Sequence, residues 1–382
     1  MSSAAGGSPG QGGSASPVGD VNEMPRVTSE AEAEAEAEAE VKPKTRKKRA
    51  LKGKASPPAG KDGPAKEEKA PKKRKAGAKP PAVPKDFVFP RTELKRKPDP
   101  VNGLKVLSWN VNGLRAVLNK NKECLEGLVE SEKPDVLFLQ ETKLQETHVE
   151  PLGEILPGYK SIFSSSTAKK GYSGTAMFIK EPLWPNGKDK IKLGINKEEH
   201  DSEGRSITLC LEHVNFVALY VPNSGMKLER LNYRTEKWDN DLREYIRALS
   251  QETGNPTITC GDFNVAHKDL DLYNPDAKHI PKTPGCTDPE RNSFTKFLDE
   301  EGYIDSFRHL YPEAVGAYTY WSTRAGGRPF NRGLRLDYFA VPKSLFEPLT
   351  SSSPRVHDSF ILHDQCVPAS DHCPIGLTLE LP

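Results

Sequence analysis

The chain has 382 residues, is 35% hydrophobic and carries a formal net charge of +2, a composition that can bury a core. The total hides an asymmetry, because the first 100 residues hold 22 Lys and Arg against 14 Asp and Glu, and the remainder holds 33 against 39. No apolar run reaches the roughly 18 residues of a membrane span, and an acidic body excludes nucleic-acid binding through bulk charge alone, so such binding would need a local basic face or the basic tail.

In chain order, the N-terminus lacks the apolar stretch of a secretory signal, and its first basic residue is Arg26, late for an organelle transit peptide. A Gly/Ser/Pro stretch runs to residue 20, an alternating Ala-Glu run covers 31–40, and a Lys/Pro/Ala-rich region covers 42–85. Such composition cannot offset the entropy of folding, so residues 1–100 are expected to form a disordered tail. Two basic clusters, Lys44-Thr45-Arg46-Lys47-Lys48-Arg49 and Lys72-Lys73-Arg74-Lys75, read as nuclear import signals or as sliding contacts on nucleic acid; the plainer reading is a solvated linker. Nuclear localisation is the expectation, with a mitochondrial or plastid fraction as the alternative.

From Leu104 the texture changes, and residues 101–382 are expected to form one domain. Short β-rich runs bounded by turn residues predict strands over 105–110, 135–140, 175–179, 206–211, 215–221, 257–263, 336–341 and 375–379. Amphipathic patterns predict helices over 122–131, 228–251 and 289–301. Many strands and few helices point to an α/β (α+β) sandwich of two sheets with helices packed outside. Cys124, Cys210, Cys260, Cys286, Cys366 and Cys373 contain no Cys-x-x-Cys pair and several fall in apolar strands, which reads as reduced, mostly buried thiols.

Chemistry concentrates where the predicted strands end. Gly261-Asp262-Phe263-Asn264 sets an acid and an amide two residues apart at a strand terminus. The Asp there can take a proton from water or sit near a metal, and the Asn can donate to a phosphate oxygen without adding charge. Four further polar corners follow apolar strands in the same way, namely Trp109-Asn110-Val111-Asn112, Leu139-Gln140-Glu141-Thr142, Arg335-Leu336-Asp337-Tyr338 and Ser370-Asp371-His372. Together they supply the carboxylates, amides and imidazole that metal-assisted phosphate hydrolysis uses.

These corners, with Gly113-Leu114-Arg115-Ala116, Lys143, Tyr220-Val221-Pro222-Asn223, the run from Asp269 to Pro275, Asp305-Ser306-Phe307-Arg308-His309, Asn331-Arg332-Gly333-Leu334 and Cys373-Pro374, occur in an order that carries a resemblance. The chain from Leu104 onward resembles the exonuclease III branch of the endonuclease/exonuclease/phosphatase superfamily, the abasic-site DNA endonucleases of base excision repair. The resemblance implies a four-layered αββα sandwich of two mixed sheets with the polar corners at one end. It also implies Mg²⁺-dependent cleavage, with Mn²⁺ as a substitute, on the 5′ side of an abasic site, leaving 3′-hydroxyl and 5′-deoxyribose phosphate ends. Side activities as 3′–5′ exonuclease and 3′-phosphodiesterase go with it. The implied partners are duplex DNA bearing abasic sites and other base excision repair proteins, with no membrane and the protein acting as a monomer.

The same resemblance implies roles residue by residue. Glu141 is the principal Mg²⁺ ligand, with Asn112, Asp371, Asp262 and Asn264 completing the metal cluster; Asn112 stands where many relatives carry a second carboxylate. Asp262 orients or deprotonates the attacking water, Asn110 holds Asp262, and His372 pairs with Asp337, leaving open whether the imidazole takes a proton or stands charged against the phosphate. Tyr220, Asn223 and Asn274 contact phosphate, Arg115 and Lys143 clamp the backbone, and Tyr320, Trp321 and Leu336 line a pocket for bare deoxyribose. Three departures stand out: Tyr320 replaces the Phe of vertebrate relatives, Leu334 their Trp, and Met226 a major-groove Arg. A hydroxyl and a smaller neighbour in the wall are expected to loosen the pocket toward 3′ end processing, and loss of the Arg is expected to speed product release.

Other branches share the sandwich and the Asp-His pair, so a phosphoinositide phosphatase or sphingomyelinase is a competing reading. The loops at 261–275 and 331–338 favour the abasic branch. A secreted DNase I type is disfavoured by the N-terminus and the cysteine pattern. A non-catalytic DNA-binding protein is the reading from a different class, and metal-dependent nicking separates it from the enzyme.

Overall fold

The structure is a computed structural model in which residues 84–350 and 353–382 are described. The basic clusters and the Ala-Glu run lie outside the described residues. Strand β1 (Gly103–Asn110) begins the domain, followed by helices α1 (Leu114–Lys120) and α2 (Lys122–Glu132) and strands β2 (Val136–Gln140), β3 (Tyr159–Ser164) and β4 (Thr175–Lys180). Next come β5 (Ile191–Leu193), α3 (Glu198–Asp201), β6 (Ser206–Cys210), β7 (Asn215–Tyr220), α4 (Asp239–Thr253) and β8 (Thr257–Asp262). The chain closes with α5 (Asp288–Glu300), β9 (Tyr303–Asp305), α6 (Ser306–Leu310), β10 (Asp337–Pro342), β11 (Arg355–Ile361) and β12 (Ile375–Glu380).

Two six-stranded sheets result, ordered β11-β12-β1-β2-β4-β3 and β5-β6-β7-β8-β10-β9. Both are mixed: β1–β2 and β7–β8 are parallel and their other neighbours antiparallel. Successive side chains of a strand point to opposite faces, and here each face meets a different layer. Val106, Phe138 and Met177 face Phe216, Ile258 and Phe339 across the sheet–sheet interior. Their neighbours Leu107, Trp109, Leu137 and Leu139 pack on Leu114, Val117, Leu125 and Leu128 of α1 and α2. On the far side, Val217 and Leu219 pack on Leu242, Ile246 and Leu249 of α4 and Phe294 and Phe297 of α5. The order of layers is therefore αββα, and burial on both faces explains the near-continuous apolar text of the central strands.

All the strands read from the sequence are present. The additional ones, β3, β5, β9 and β11, are the four sheet edges. Edge strands bury only part of their surface; β3 has a single fully buried residue, and a bulge between Val356 and Asp358 breaks the alternation of β11. The helix read over 228–251 starts later, since Leu228 has a φ of 58°, which a right-handed helix cannot use. A π-helical stretch, Tyr233–Trp238, leads into α4 instead.

The tail boundary expected at residue 100 is corrected in its final part. Phe89 N donates to Phe330 O (2.9 Å), Thr92 N to Val315 O (2.9 Å) and Lys97 N to Asp358 Oδ2 (3.1 Å). Arg91 and Asp364 add a two-pronged ion pair. The few apolar residues of this stretch, with Phe89 edge-on to Tyr273, are enough to dock it. Among the described residues, no helix is long and apolar enough to cross a membrane.

Candidate active site

Strand direction gathers the polar corners. Asn110 and Gln140 end the parallel pair β1–β2 in register, and Tyr220 and Asp262 end the parallel pair β7–β8. β10 runs antiparallel to β8, so Asp337 at its start faces Asp262 at the other's end. β12 runs antiparallel to β1, which brings the preceding Asp371 and His372 to the same end. The carboxyl ends of parallel strands are where open α/β sheets form ligand crevices.

Asp262 is 1% exposed and fixed from behind: Asn110 Nδ2 donates to its Oδ2 (2.9 Å) and Asn264 N to its Oδ1 (2.8 Å). Gly261, with φ 128°, permits the β8 exit; a Cβ there would meet Leu219 O at 2.0 Å. His372 Nδ1 lies 2.8 Å from Asp337 Oδ2, which turns Nε2 toward Asp262 Oδ2 at 3.9 Å. Thr319 Oγ1 accepts from the backbone N–H groups of Leu336 and Asp337 (2.9 and 3.1 Å), and Ser370 Oγ accepts from His372 N (3.1 Å) while donating to Asn110 O (2.8 Å).

Electrostatics follow this packing. Burial opposes the charge on His372, yet Asp337, with Asp262 and Asp371 behind it, raises the imidazole to about 10. Burial pushes Asp262 up to about 7, against the pull of His372 and of the N–H groups of Asn264 and Asn110. Burial also drives the Tyr220 hydroxyl well above its ordinary value, with Glu141 adding to the shift. At neutral pH the cleft therefore holds an imidazolium, a neutral phenol and a carboxyl balanced between its two forms.

A second cluster sits at the rim. Lys143 Nζ lies 3.1 Å from Glu141 Oε1 and donates to Asn112 Oδ1 (2.6 Å), while Asn112 Nδ2 donates to Asp371 Oδ1 (3.1 Å). Asn112, Glu141, Lys143 and Asn264 all have φ between 46° and 55°, in the left-handed region. Backbone in that region collects at functional sites, and here it turns each side chain back over the strand ends. The corners are stitched together, Gly113 N donating to Glu141 O (2.8 Å) and Leu114 N to Thr142 O (3.0 Å).

These residues fit a divalent cation. Two hard oxygens, the Glu141 carboxylate and the Asn112 amide, already share one positive charge, the Lys143 ammonium, and a second carboxylate, Asp371, adjoins them, the donor type that Mg²⁺ and Mn²⁺ take. Asp262, Asp337 and His372 also approach within 4.8 Å of one another. Asp262 is bonded to Asn110 and Asn264 and His372 to Asp337, with His372 Nε2 facing Asp262 Oδ2 across 3.9 Å, so these three form an acid–imidazole relay, whereas Glu141, Asn112 and Asp371 form the oxygen nest.

Among the other residues singled out in the sequence, Asn223 Nδ2 donates to Asn264 Oδ1 (3.0 Å). Asn274 follows the Asp269–Asp271 turn, and its buried Oδ1 has no partner among the described residues. The Tyr320 ring meets His372 at a tilt of 51° with ring centroids 5.0 Å apart, and with Leu334 it packs on Leu336. Trp321 packs with Tyr318 and Cys373, and lines a groove with Phe89, Arg328 and Asp371. Arg115 is exposed on α1, its Nη1 3.5 Å from His148 Nδ1, outside the buried cluster.

Two buried arginines were absent from the sequence reading. Arg205 donates to Tyr220 O (3.0 Å) with its guanidinium 4.8 Å from that ring. Arg234 donates to Phe263 O and Asn264 O, each at 2.6 Å. A signal existed for the second: Arg234 shares the buried stripe of Trp238, Leu242, Tyr245 and Leu249, where a charge needs a partner.

A four-layered sandwich with a buried acid–imidazole relay beside an oxygen nest defines a hydrolase of phosphoesters, and comparison with known proteins agrees. The model of the Endonuclease/Exonuclease/phosphatase family matches residues 107–372. An exodeoxyribonuclease of Bacillus subtilis (strain 168) is 46% identical over 279 residues, covering 73% of this chain and 100% of that one. A DNA-(apurinic or apyrimidinic site) endonuclease of Dictyostelium discoideum is 42% identical over 281 residues, 73% of this chain and 72% of that one. Among solved structures, an AP endonuclease from Leishmania major superposes with a TM-score of 0.68 at 36% identity, covering 78% of this chain and 94% of that one. The chain belongs to the Endonuclease/Exonuclease/phosphatase family.

Proposed function

We propose that the protein is a DNA repair endonuclease that hydrolyses the phosphodiester 5′ to an abasic site in duplex DNA. The observation that carries this reading is the 3.9 Å gap between His372 Nε2 and Asp262 Oδ2, two groups locked from behind with opposite proton preferences. Asp262 takes the proton of the attacking water as the oxygen–phosphorus bond forms. His372, held charged by Asp337, donates from Nε2 to a phosphate oxygen and stabilises the charge that builds there. Tyr220, Asn223, Asn264 and Asn274 add uncharged donors. The bond from phosphorus to the 3′ oxygen of the preceding nucleotide breaks, and that oxygen takes a proton from solvent water, leaving a 3′-hydroxyl and a 5′-deoxyribose phosphate.

Glu141, Asn112 and Asp371 would hold the metal, for which Mg²⁺ is proposed. Bound there, it would supply Lewis-acid neutralisation of charge on the phosphate oxygens. The apolar cluster of Tyr320, Leu334 and Leu336 beside His372 supports selection of a sugar that lacks its base. The name of the Bacillus relative, an exodeoxyribonuclease, supports an accompanying exonuclease; a 3′–5′ direction and 3′-phosphodiesterase activity at the same cleft are part of the proposal. A monomer working in base excision repair with other repair proteins completes the reading. Nuclear localisation is proposed from the basic clusters, and a tagged full-length chain excluded from nuclei would overturn it.

The test is nicking of a duplex bearing one synthetic abasic site, with Mg²⁺ or with EDTA, by the wild type and by Glu141→Gln and His372→Asn. The expected result is metal-dependent cleavage just 5′ of the lesion, with a large loss in both variants. An intact duplex alongside hydrolysis of a phosphoinositide or sphingomyelin would move the protein to another branch of the family.

A further inference from the structure

Beneath the Asp262–Asn264 corner lies a charged group that cannot reach substrate. Arg234 is 2% exposed and sits in the π-helical stretch ahead of α4. Single π turns inside helices often accompany functional sites, because the added residue swings one side chain out of helical register. Here that side chain spans the carbonyls of two successive residues, Nη1 to Asn264 O and Nη2 to Phe263 O, each at 2.6 Å. These carbonyls follow the last residue of β8, where the ladder stops and Asn264 takes a φ of 48°.

The countercharge is equally placed. Glu290, fully buried, lies 3.6 Å from Arg234 Nη1. Its Oε1 accepts from Ser224 Oγ (2.5 Å), and its Oε2 from Thr287 N (3.1 Å) and Oγ1 (2.7 Å) in the capping box of α5. Ser224 directly follows Asn223, whose amide donates to Asn264 Oδ1. The contacts close a ring: Arg234 to the 263–264 turn, Asn264 to Asn223, the neighbouring Ser224 to Glu290, and Glu290 back to Arg234. Two amides that face the cleft are members of this ring, and neither is otherwise tied to a helix.

We propose that Arg234, with Glu290 as its buried counterion, is a positioning residue that sets the attitude of Asn264, and through it Asn223, toward the scissile phosphate. The inference rests on the hydrolytic reading of the Asp262–His372 cleft. A planar guanidinium is suited to this task because its fork meets two carbonyls at once, whereas an ammonium makes the same charge without the fixed fork. A displacement of about 1 Å in a catalytic group reduces rate by up to about 10²-fold, so small losses of turn geometry become visible in turnover.

The experiment measures kcat and KM for nicking of an abasic duplex by the wild type, Arg234→Lys, Asn264→Ala and the double variant, with thermal melts of each. The expectation is a fall in kcat of Arg234→Lys by about 10- to 100-fold with KM within about threefold, and little further loss in the double variant relative to Asn264→Ala. A merely structural arginine predicts a lowered melting temperature with full additivity to Asn264→Ala, and that result would overturn the proposal, as would an unchanged kcat. Should Arg234→Lys fail to fold, Glu290→Gln decides, with the same kcat-selective and non-additive pattern expected and full additivity counting against the idea. Absence of nicking by the wild type would instead strike the proposed function itself.

Discussion

Asp262 and His372 are almost wholly buried, their rear atoms bonded to Asn110, Asn264 and Asp337. Glu141, a short way along the same cleft, keeps 18% of its side chain exposed and shares Lys143 with Asn112. The second sheet and the entry to β12 thus supply a relay whose positive charge is the His372 imidazolium held by Asp337. The first sheet supplies a rim whose oxygens are held by a cation that can be exchanged. Buried groups bonded from behind hold one geometry, while part-exposed oxygens around a lysine ammonium can adapt to an ion of different size. Proton handling and metal affinity are therefore separable, and mutations should divide along that line.

The largest effect belongs to the relay. His372→Asn and Asp262→Asn are each expected to reduce nicking by about 10²- to 10⁴-fold, the range that acid–base and electrostatic groups contribute. Added Mg²⁺ should restore neither, in a metal titration of single-turnover rates. Glu141→Gln should lose about 10²-fold at low metal and recover part of it as Mg²⁺ rises, because the variant weakens the nest and leaves the relay intact. A Glu141→Gln rate that stays flat across the titration would erase the distinction between the two clusters.

A pH profile sharpens the same contrast. Burial raises Asp262 to about 7, and the carboxylate is the working form, so activity should fall as pH drops through that value. His372 is raised to about 10 and works charged, so activity should fall again as pH approaches that value. The expected profile of kcat/KM is a bell, and the Glu141→Gln variant should keep both limbs since its relay is unchanged. Acid stability reports a different group: Arg335, overcoming the effect of burial, holds Asp271 down at about 2, below its unfolded value. Its contribution is complete above the ordinary carboxyl range and is lost as pH falls through about 2.

The sequence carried the central strands and the polar corners because doubly buried strands are written in apolar residues and the corners end them. It did not carry β3, β5, β9 and β11, which sit at sheet edges, where short length, partial burial or a bulge breaks the apolar pattern. Within the site, the Asn110–Asp262 and Asp337–His372 contacts join positions far apart in the chain and became readable only through ordered motifs. Trp321 is read into the pocket wall through the resemblance; its ring packs with Tyr318 and Cys373 and lines a groove that Asp371 shares. Lys143 read as a clamp on DNA; its ammonium lies inside the rim because its left-handed backbone folds the side chain back toward Glu141.

The smallest effect tests the wall between the two clusters. Tyr320 forms isolated bridges with both Leu334 and His372, and its ring rests on the imidazole. Burial, reinforced by Asp371, raises its hydroxyl far above the ordinary range, so it is a neutral donor at working pH. Removing it in Tyr320→Phe leaves the tilted ring contact and both backbone bridges in place. Relay and rim then stay as they are, and abasic nicking should remain within about threefold. What changes is one hydrogen bond in the pocket wall, worth about 0.5–1.5 kcal/mol, or roughly two- to tenfold in a rate ratio. If the hydroxyl aids 3′ end processing, removal of a 3′ mismatch should fall by that factor relative to abasic incision, measured on the two substrates side by side. An unchanged ratio would assign the hydroxyl to packing on His372 alone and leave selectivity to the size of Leu334 and Leu336.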